Sequence, residues 1–152
     1  MLSLENIMLP QIHPMLALHR YLAWADAMRA HSEKVMPAAQ GKGLDDVNVG
    51  LALMYFAYWF STLYVVIEGY RSLKLNDDAI EKLLEDKDKV DILRRYRNTI
   101  FHFQPEYFDD RNVAFMNSAN TILPWLKELR IAFAKFIERW FETHDFEGLP
   151  KH

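Results

Sequence analysis

Apolar positions recur at helical spacing along nearly the whole chain, and no alternating run bounded by turn residues reads as a strand. The first pattern spans about His13 or Pro14 to Met36. Leu16, Leu18, Leu22, Ala25, Met28 and Val35 form its apolar stripe, and Arg20, Asp26, Arg29 and Glu33 lie on its other side. Pro37 is expected to stop it, which makes PAAQGKGLDDVN a loop with Asp46 or Asn48 as the next helix cap. A second helix is expected from about Val47 to Leu73. Asn76, Asp77 and Asp78, with Glu81 behind them, signal a short helix through about Asp86. Asp88 opens another helix, which Pro105 must end, and QPEYFDDR is the connecting turn. The last pattern runs from about Asn112 to His144, with Pro124 expected to bend or split it.

Together these patterns predict an all-α, single-domain antiparallel bundle of four main helices plus a short helix. Residues 1–12 are expected to form an N-terminal extension and 145–152 a C-terminal tail. No repeat, low-complexity tract or linker divides the 152 residues. The second helix contains 21 uncharged residues between Asp46 and Glu68, long enough to cross a bilayer. Asn48, Gly50, Ser61, Thr62 and three tyrosines interrupt it, and no basic cluster flanks it, so a buried core helix is expected rather than a membrane span.

Composition narrows the chemistry. There is no cysteine, which excludes disulfides, thiolate metal sites and thiol catalysis. A net charge of -3 gives no global attraction to nucleic acid or anionic lipid, so any nucleic-acid site must be a local basic patch. The leading residues MLSLENIMLPQIHP match neither a secretory signal nor a transit peptide, and a cytoplasmic location is expected. Phosphate-loop, Gly-x-Ser-x-Gly and His-Glu-x-x-His motifs are absent. Neither His13 with His19 nor His144 with Glu142 has the spacing of paired metal ligands on one helix face, so no metal or cofactor is expected. The acidic run from Asp77 to Asp91, interleaved with Lys82, Lys87 and Lys89, reads as a solvated surface.

The densest polar chemistry lies in LRRYRNTIFHFQPEYFDDR. Ile92, Tyr96, Ile100 and Phe103 keep helical spacing and form the expected core stripe, while Arg94, Arg95, Arg97, Asn98 and His102 fall largely off it. Asn98 and His102 are four apart, so the amide is placed to orient the imidazole. Arg97 is five residues before His102, roughly 140° away around an ideal helix, so one helix alone does not aim both at one atom. In a purely structural role Arg97 would pair with Asp91 or Glu106, and His102 would cap the helix end or bond to Gln104.

Arg97-Asn98-x-x-x-His102, on a helix of an all-α domain of this size, resembles the Arg-x4-6-His motif of the HEPN superfamily. Two other pairs in the sequence satisfy that spacing, Arg95 with His102 and Arg139 with His144. The polar Asn98 directly after the arginine favours Arg97 with His102. The resemblance implies a four- or five-helix bundle and a metal-independent endoribonuclease, of the toxin–antitoxin or antiviral kind, with Arg97, Asn98 and His102 as catalytic residues. Arg94, Arg95 and Arg111 would assist by binding RNA phosphates. The 2′-hydroxyl of RNA would attack, His102 would move the proton and Arg97 would stabilise the phosphorane. HEPN sites are usually composite, so the resemblance implies a homodimer, and an antitoxin or nucleotidyltransferase partner is consistent with it. Where nucleotidylated members of that family carry tyrosine two residues after the histidine, this chain reads Phe103-Gln104, with Tyr107 nearby. The same fold also serves as a non-catalytic dimerisation or interaction module. The aromatic surplus of Tyr55–Tyr64 and Phe101–Phe108 is where subunit contact is expected.

Overall fold

A computed structural model describes residues 4–144, with side chains from Ile12 onward. Six helices and no strand occur among the described residues, so the chain is all-α. They are α1 Leu4–Ala39, α2 Val47–Ser72, α3 Asp78–Leu84, α4 Lys87–Phe101, α5 Asp110–Asn117 and α6 Ala119–Thr143. The expected extension is therefore helical from Leu4 and continuous with α1, whereas the tail 145–152 lies outside the described residues.

Aspartates start most of these helices. Asp46 accepts the Asn48 N–H at 2.8 Å to cap α2, and Asp77 accepts those of Ala79 and Ile80 at 3.1 Å to cap α3. Asp86 and Asp109 do the same for α4 and α5. Part of the acidic run is thus capping chemistry, in which a carboxylate satisfies N–H groups that the first turn leaves unpaired.

The stops depart from the sequence reading. α1 passes through Pro37 and ends at Ala39. So late in the helix, a missing N–H costs one terminal bond, and Gly41, at φ 74°, supplies the left-handed turn that ends it. α6 runs unsplit through Pro124; the break falls at Ser118, between α5 and α6. Asn120, whose carbonyl the proline leaves without an N–H partner, is exposed to water there. α2 ends in a Schellman turn: Leu75 N–H reaches the Tyr70 carbonyl at 3.2 Å and Lys74 N–H the Arg71 carbonyl at 3.0 Å. Lys74 holds the left-handed position at φ 53°.

α1 and α2 form an antiparallel hairpin. His31 stacks on Tyr55 near the loop, and Leu18 lies so close to Gly69 that a Cβ there would meet its Cδ1 at 2.9 Å. The buried side of α1 is Met15, Leu18, Leu22, Ala25 and Ser32; Leu16 is exposed, one step out of phase with that seam. Asp26, expected on the outer side, forms a two-pronged bridge to Arg130 of α6 at 2.6 and 2.8 Å. The second half of α2 is the centre of the core: Leu63, Val66 and Ile67 are fully buried in one cluster with Leu126, Leu129 and Phe133 of α6. α2 is long and apolar enough to cross a membrane, but half of that stretch is buried inside the protein.

One buried hydroxyl ties the end of α2 to α3. The Tyr70 hydroxyl accepts the Asp77 N–H and donates to Glu81, both at 2.8 Å. Burial and the Glu81 hydrogen bond push its phenol far up, holding it neutral. Tyr70→Phe strands the Asp77 N–H and is expected to cost about 1–3 kcal/mol of unfolding free energy, measured by urea denaturation.

Burial also pushes Tyr96 up, to about 12. Between the ordinary phenol value of about 10 and that value, the folded state holds a proton that the unfolded state has lost. That part of the stability is complete below pH 10 and disappears as pH rises toward 12. Tyr96→Phe is expected to flatten that alkaline decline in an unfolding series.

Candidate functional site

Arg97, Asn98 and His102 do not converge. Arg97 lies in the cleft between α4 and α2, where its Nη2 pairs with Glu68. Its Nη1 donates to Asn98 Oδ1 at 3.0 Å, and its guanidinium carbon is 5.2 Å from the centre of the Tyr64 ring. The Asn98 amide oxygen is therefore turned toward Arg97 and does not take the expected role of orienting His102. Glu68, rather than Asp91 or Glu106, is the acid on Arg97. Asp91 instead holds Arg94 at 2.6 Å. Burial, and then the Glu68 charge, raise the Tyr64 phenol.

His102 is outside the helix. α4 stops at Phe101, and His102 is its C-cap with extended backbone at φ -123° and ψ 132°. Its N–H still reaches the Asn98 carbonyl at 3.2 Å, and its carbonyl accepts from Gln104 Nε2 at 3.1 Å. The four-residue spacing from Asn98 thus survives in the backbone, but the side chain leaves the shared helical face. Phe103 leaves with it. Expected in the core stripe, it is 91% exposed, because helical phase ends two residues before it.

The supporting arginines differ. Arg111 is bound to Asp109 at 2.7 Å beside the α5 cap, and Arg94 to Asp91. Arg95 is exposed, and its side chain pairs with no described residue. The second Arg–His spacing is split as well: Arg139 binds Asp77 at 2.6 Å, while His144 stacks on Trp140. Among the described residues no three His, Asp or Glu side chains gather as metal ligands, and His19 packs edge-on against Phe141.

What His102 does border is a groove of about 780 Å³, lined by the end of α1, the first half of α2, the end of α4 with the loop after it, α5 and the start of α6. Met36, Met54, Phe56, Phe60, Phe115 and Met116 supply much of its apolar wall. Thr99, His102, Gln104 and Asn112 supply polar points. Phe56, Phe60, Tyr96 and Phe115 continue from the core to its wall, with Tyr96 stacked on Phe115 at 4.3 Å. Around the mouth, Tyr58, Phe101, Phe103, Tyr107 and Phe108 are all exposed. The two aromatic stretches in which contact is expected therefore meet on one face, where Tyr58 lies 6.1 Å from Phe101.

Glu68 and the methionines of the groove carry no motif and escape a motif search. Glu68 still had a signal: it is the first charge after 21 uncharged residues. No protein-family model, curated protein or solved structure matches the chain.

A strut between α2 and α4 contributes to stability, whereas an arginine held for RNA alone does not. A double-mutant cycle of Glu68→Gln with Arg97→Ala is expected to give a favourable coupling of about 0.2–1 kcal/mol, in the range of partly exposed ion pairs. Zero coupling in thermal and urea unfolding contradicts the strut.

Proposed function

We propose that this chain is a non-catalytic helical interaction module of HEPN-like fold, working through the aromatic face around the groove. The observation that carries this reading is the run of exposed aromatic side chains on one face, from Tyr58 to Phe108. Contiguous apolar surface of that kind marks contact sites, and aromatic and methionine side chains are the types enriched in the buried centres of interfaces. The occupied state of Arg97 supports the same reading. Glu68 already supplies the countercharge that a phosphate would bring, and displacing it would uncover a carboxylate next to the incoming anion.

A second reading, a metal-independent HEPN endoribonuclease with a composite site, rests on a different observation. The His102 imidazole is exposed at the groove and bonds to no described residue, so it is open to a proton-transfer role. In that scheme RNA would be the substrate, a second copy would contribute the facing histidine, and Arg97 would release Glu68 on binding. Exposed Arg95 would hold a phosphate.

Incubation of structured and single-stranded RNA with the purified chain in EDTA separates the two. The interaction-module reading predicts that wild type and His102→Ala leave RNA equally intact. Metal-independent cleavage that is lost in a folded His102→Ala variant would establish the nuclease and sink the module.

A further inference from the structure

We infer that the groove beside the α4–α5 loop binds a small organic cation with an apolar body, of the alkylammonium class. This rests on the reading of the face as a contact surface and names the chemistry it accepts. Size, charge and the rings around the mouth lead to it.

The groove has the size of a small-molecule site. Its volume of about 780 Å³ lies within the roughly 300–1,000 Å³ of such pockets. Ala57, Phe60, Thr99 and Phe115 of its lining are buried core residues, so that wall exists before anything binds. Met36, Met54 and Met116 line it as well, and unbranched thioether side chains adapt their shape to an inserted apolar chain.

Its polar groups favour a positive guest. No lysine or arginine lines the groove, and Glu106 is the only carboxylate that does. Glu106 forms no ion pair among the described residues, while Arg111 near it is held by Asp109 at 2.7 Å. In the recess that adjoins Glu106, Asp110 balances the exposed Arg95. α4 ends at the groove with no basic residue in its last turn, and no loop N–H closes on the Thr99, Ile100 or Phe101 carbonyls. Such carbonyls are the negative end of a helix. Thr99 Oγ1 donates to the Arg95 carbonyl and Gln104 Nε2 to the His102 carbonyl, both at 3.1 Å. What these two side chains have left is chiefly lone pairs, which suit a cation and repel an anion. Only His102, when protonated, opposes that sign.

Aromatic rings complete the site. Phe101, Phe103, Tyr107 and Phe108 all line the groove and are exposed. Tyr107 and Phe108 stand nearly perpendicular, at 87° with ring centroids 4.8 Å apart, so they form a corner directly after Glu106 in the chain. Ring faces carry negative potential and attract an ammonium group, a contact that strengthens when water is excluded from it. A trimethylammonium head offers no N–H that would hold water, and its alkyl chain matches the apolar wall. Glu106 beside the rings adds the countercharge.

Titration calorimetry at about pH 8, above the ordinary imidazole range, tests the inference with probes that share a decyl or decanoyl chain. These are decyltrimethylammonium, decanol and decanoate, each kept too dilute to self-associate. The cation is expected to bind one per chain, about tenfold more tightly than decanol, with decanoate weakest. Glu106→Gln and Tyr107→Leu change exposed loop side chains, so far-ultraviolet dichroism of both should match wild type. Each is expected to cut the preference for the cation over decanol to about threefold or less, with decanol affinity held within about twofold. Equal affinity for all three probes, tighter binding of decanoate, or no binding of any would overturn the inference, as would a cation preference that neither variant reduces. Sedimentation of the chain with uncharged phosphatidylcholine vesicles would assign the face to a bilayer and overturn it too. The interaction-module reading fails separately, on His102-dependent RNA cleavage, whatever the calorimetry shows.

Discussion

The structure depends on one helix having more apolar surface than its neighbours cover. α2 is apolar over almost its whole circumference, and its second half takes up that surface as the core, with Leu63, Val66 and Ile67 at zero exposure. There α1, α4 and α6 close around it, and the Tyr70 hydroxyl and the Schellman turn fix where it ends. Its first half has fewer neighbours. Leu51, Leu53, Met54 and Tyr58 remain exposed beside the ends of α1 and α4 and the short α5. The same property that builds the core at one end leaves an uncovered apolar face at the other.

α4 joins these two regions and gives the motif residues different tasks. At Arg97 it is held to α2 by Glu68, Asn98 and the Tyr64 ring, so the guanidinium serves the join between helices. One turn later the helix ends, and the chain carries His102 and Phe103 out to the groove. Helix termination, more than sequence spacing, separates the arginine from the histidine. It also turns Phe103 from an expected core residue into the most exposed large apolar side chain of the face.

The all-α class and the starts of α2 and α3 were legible in the sequence because they rest on local chemistry, whereas α1 begins at Leu4, nine residues before His13, and α6 was not read apart from α5. Apolar spacing and the caps read at Asp46 and Asp77 act over a few residues; the starts expected at Asp88 and Asn112 fall one to two residues inside helices capped by Asp86 and Asp109. The stops were less legible. Pro37 and Pro124 are tolerated because their lost hydrogen bonds fall near helix ends, and the turn that follows α2 puts Lys74, a residue with no intrinsic preference for it, in the left-handed position. Of the candidate site, the positions of Arg97, Asn98 and His102 along the chain were readable, but their partners were not. Glu68 is 29 residues away from Arg97, and the groove is assembled from five separate helices, so neither follows from spacing within α4. Because excess apolar surface is a property of composition, the aromatic stretches were readable as surplus apolar surface, and several of their side chains are exposed on one face.

Closure of the aromatic face by a second copy is what the HEPN resemblance implies, and side-chain footprinting reads that closure at the residues themselves. Hydroxyl-radical labelling of the purified chain from dilute to concentrated solution is predicted to show Phe103 and Tyr107 becoming protected as concentration rises. Trp24, exposed on α1 away from the groove, should label equally throughout. Phe103 and Tyr107 labelling as strongly at the highest concentration as at the lowest would contradict the account.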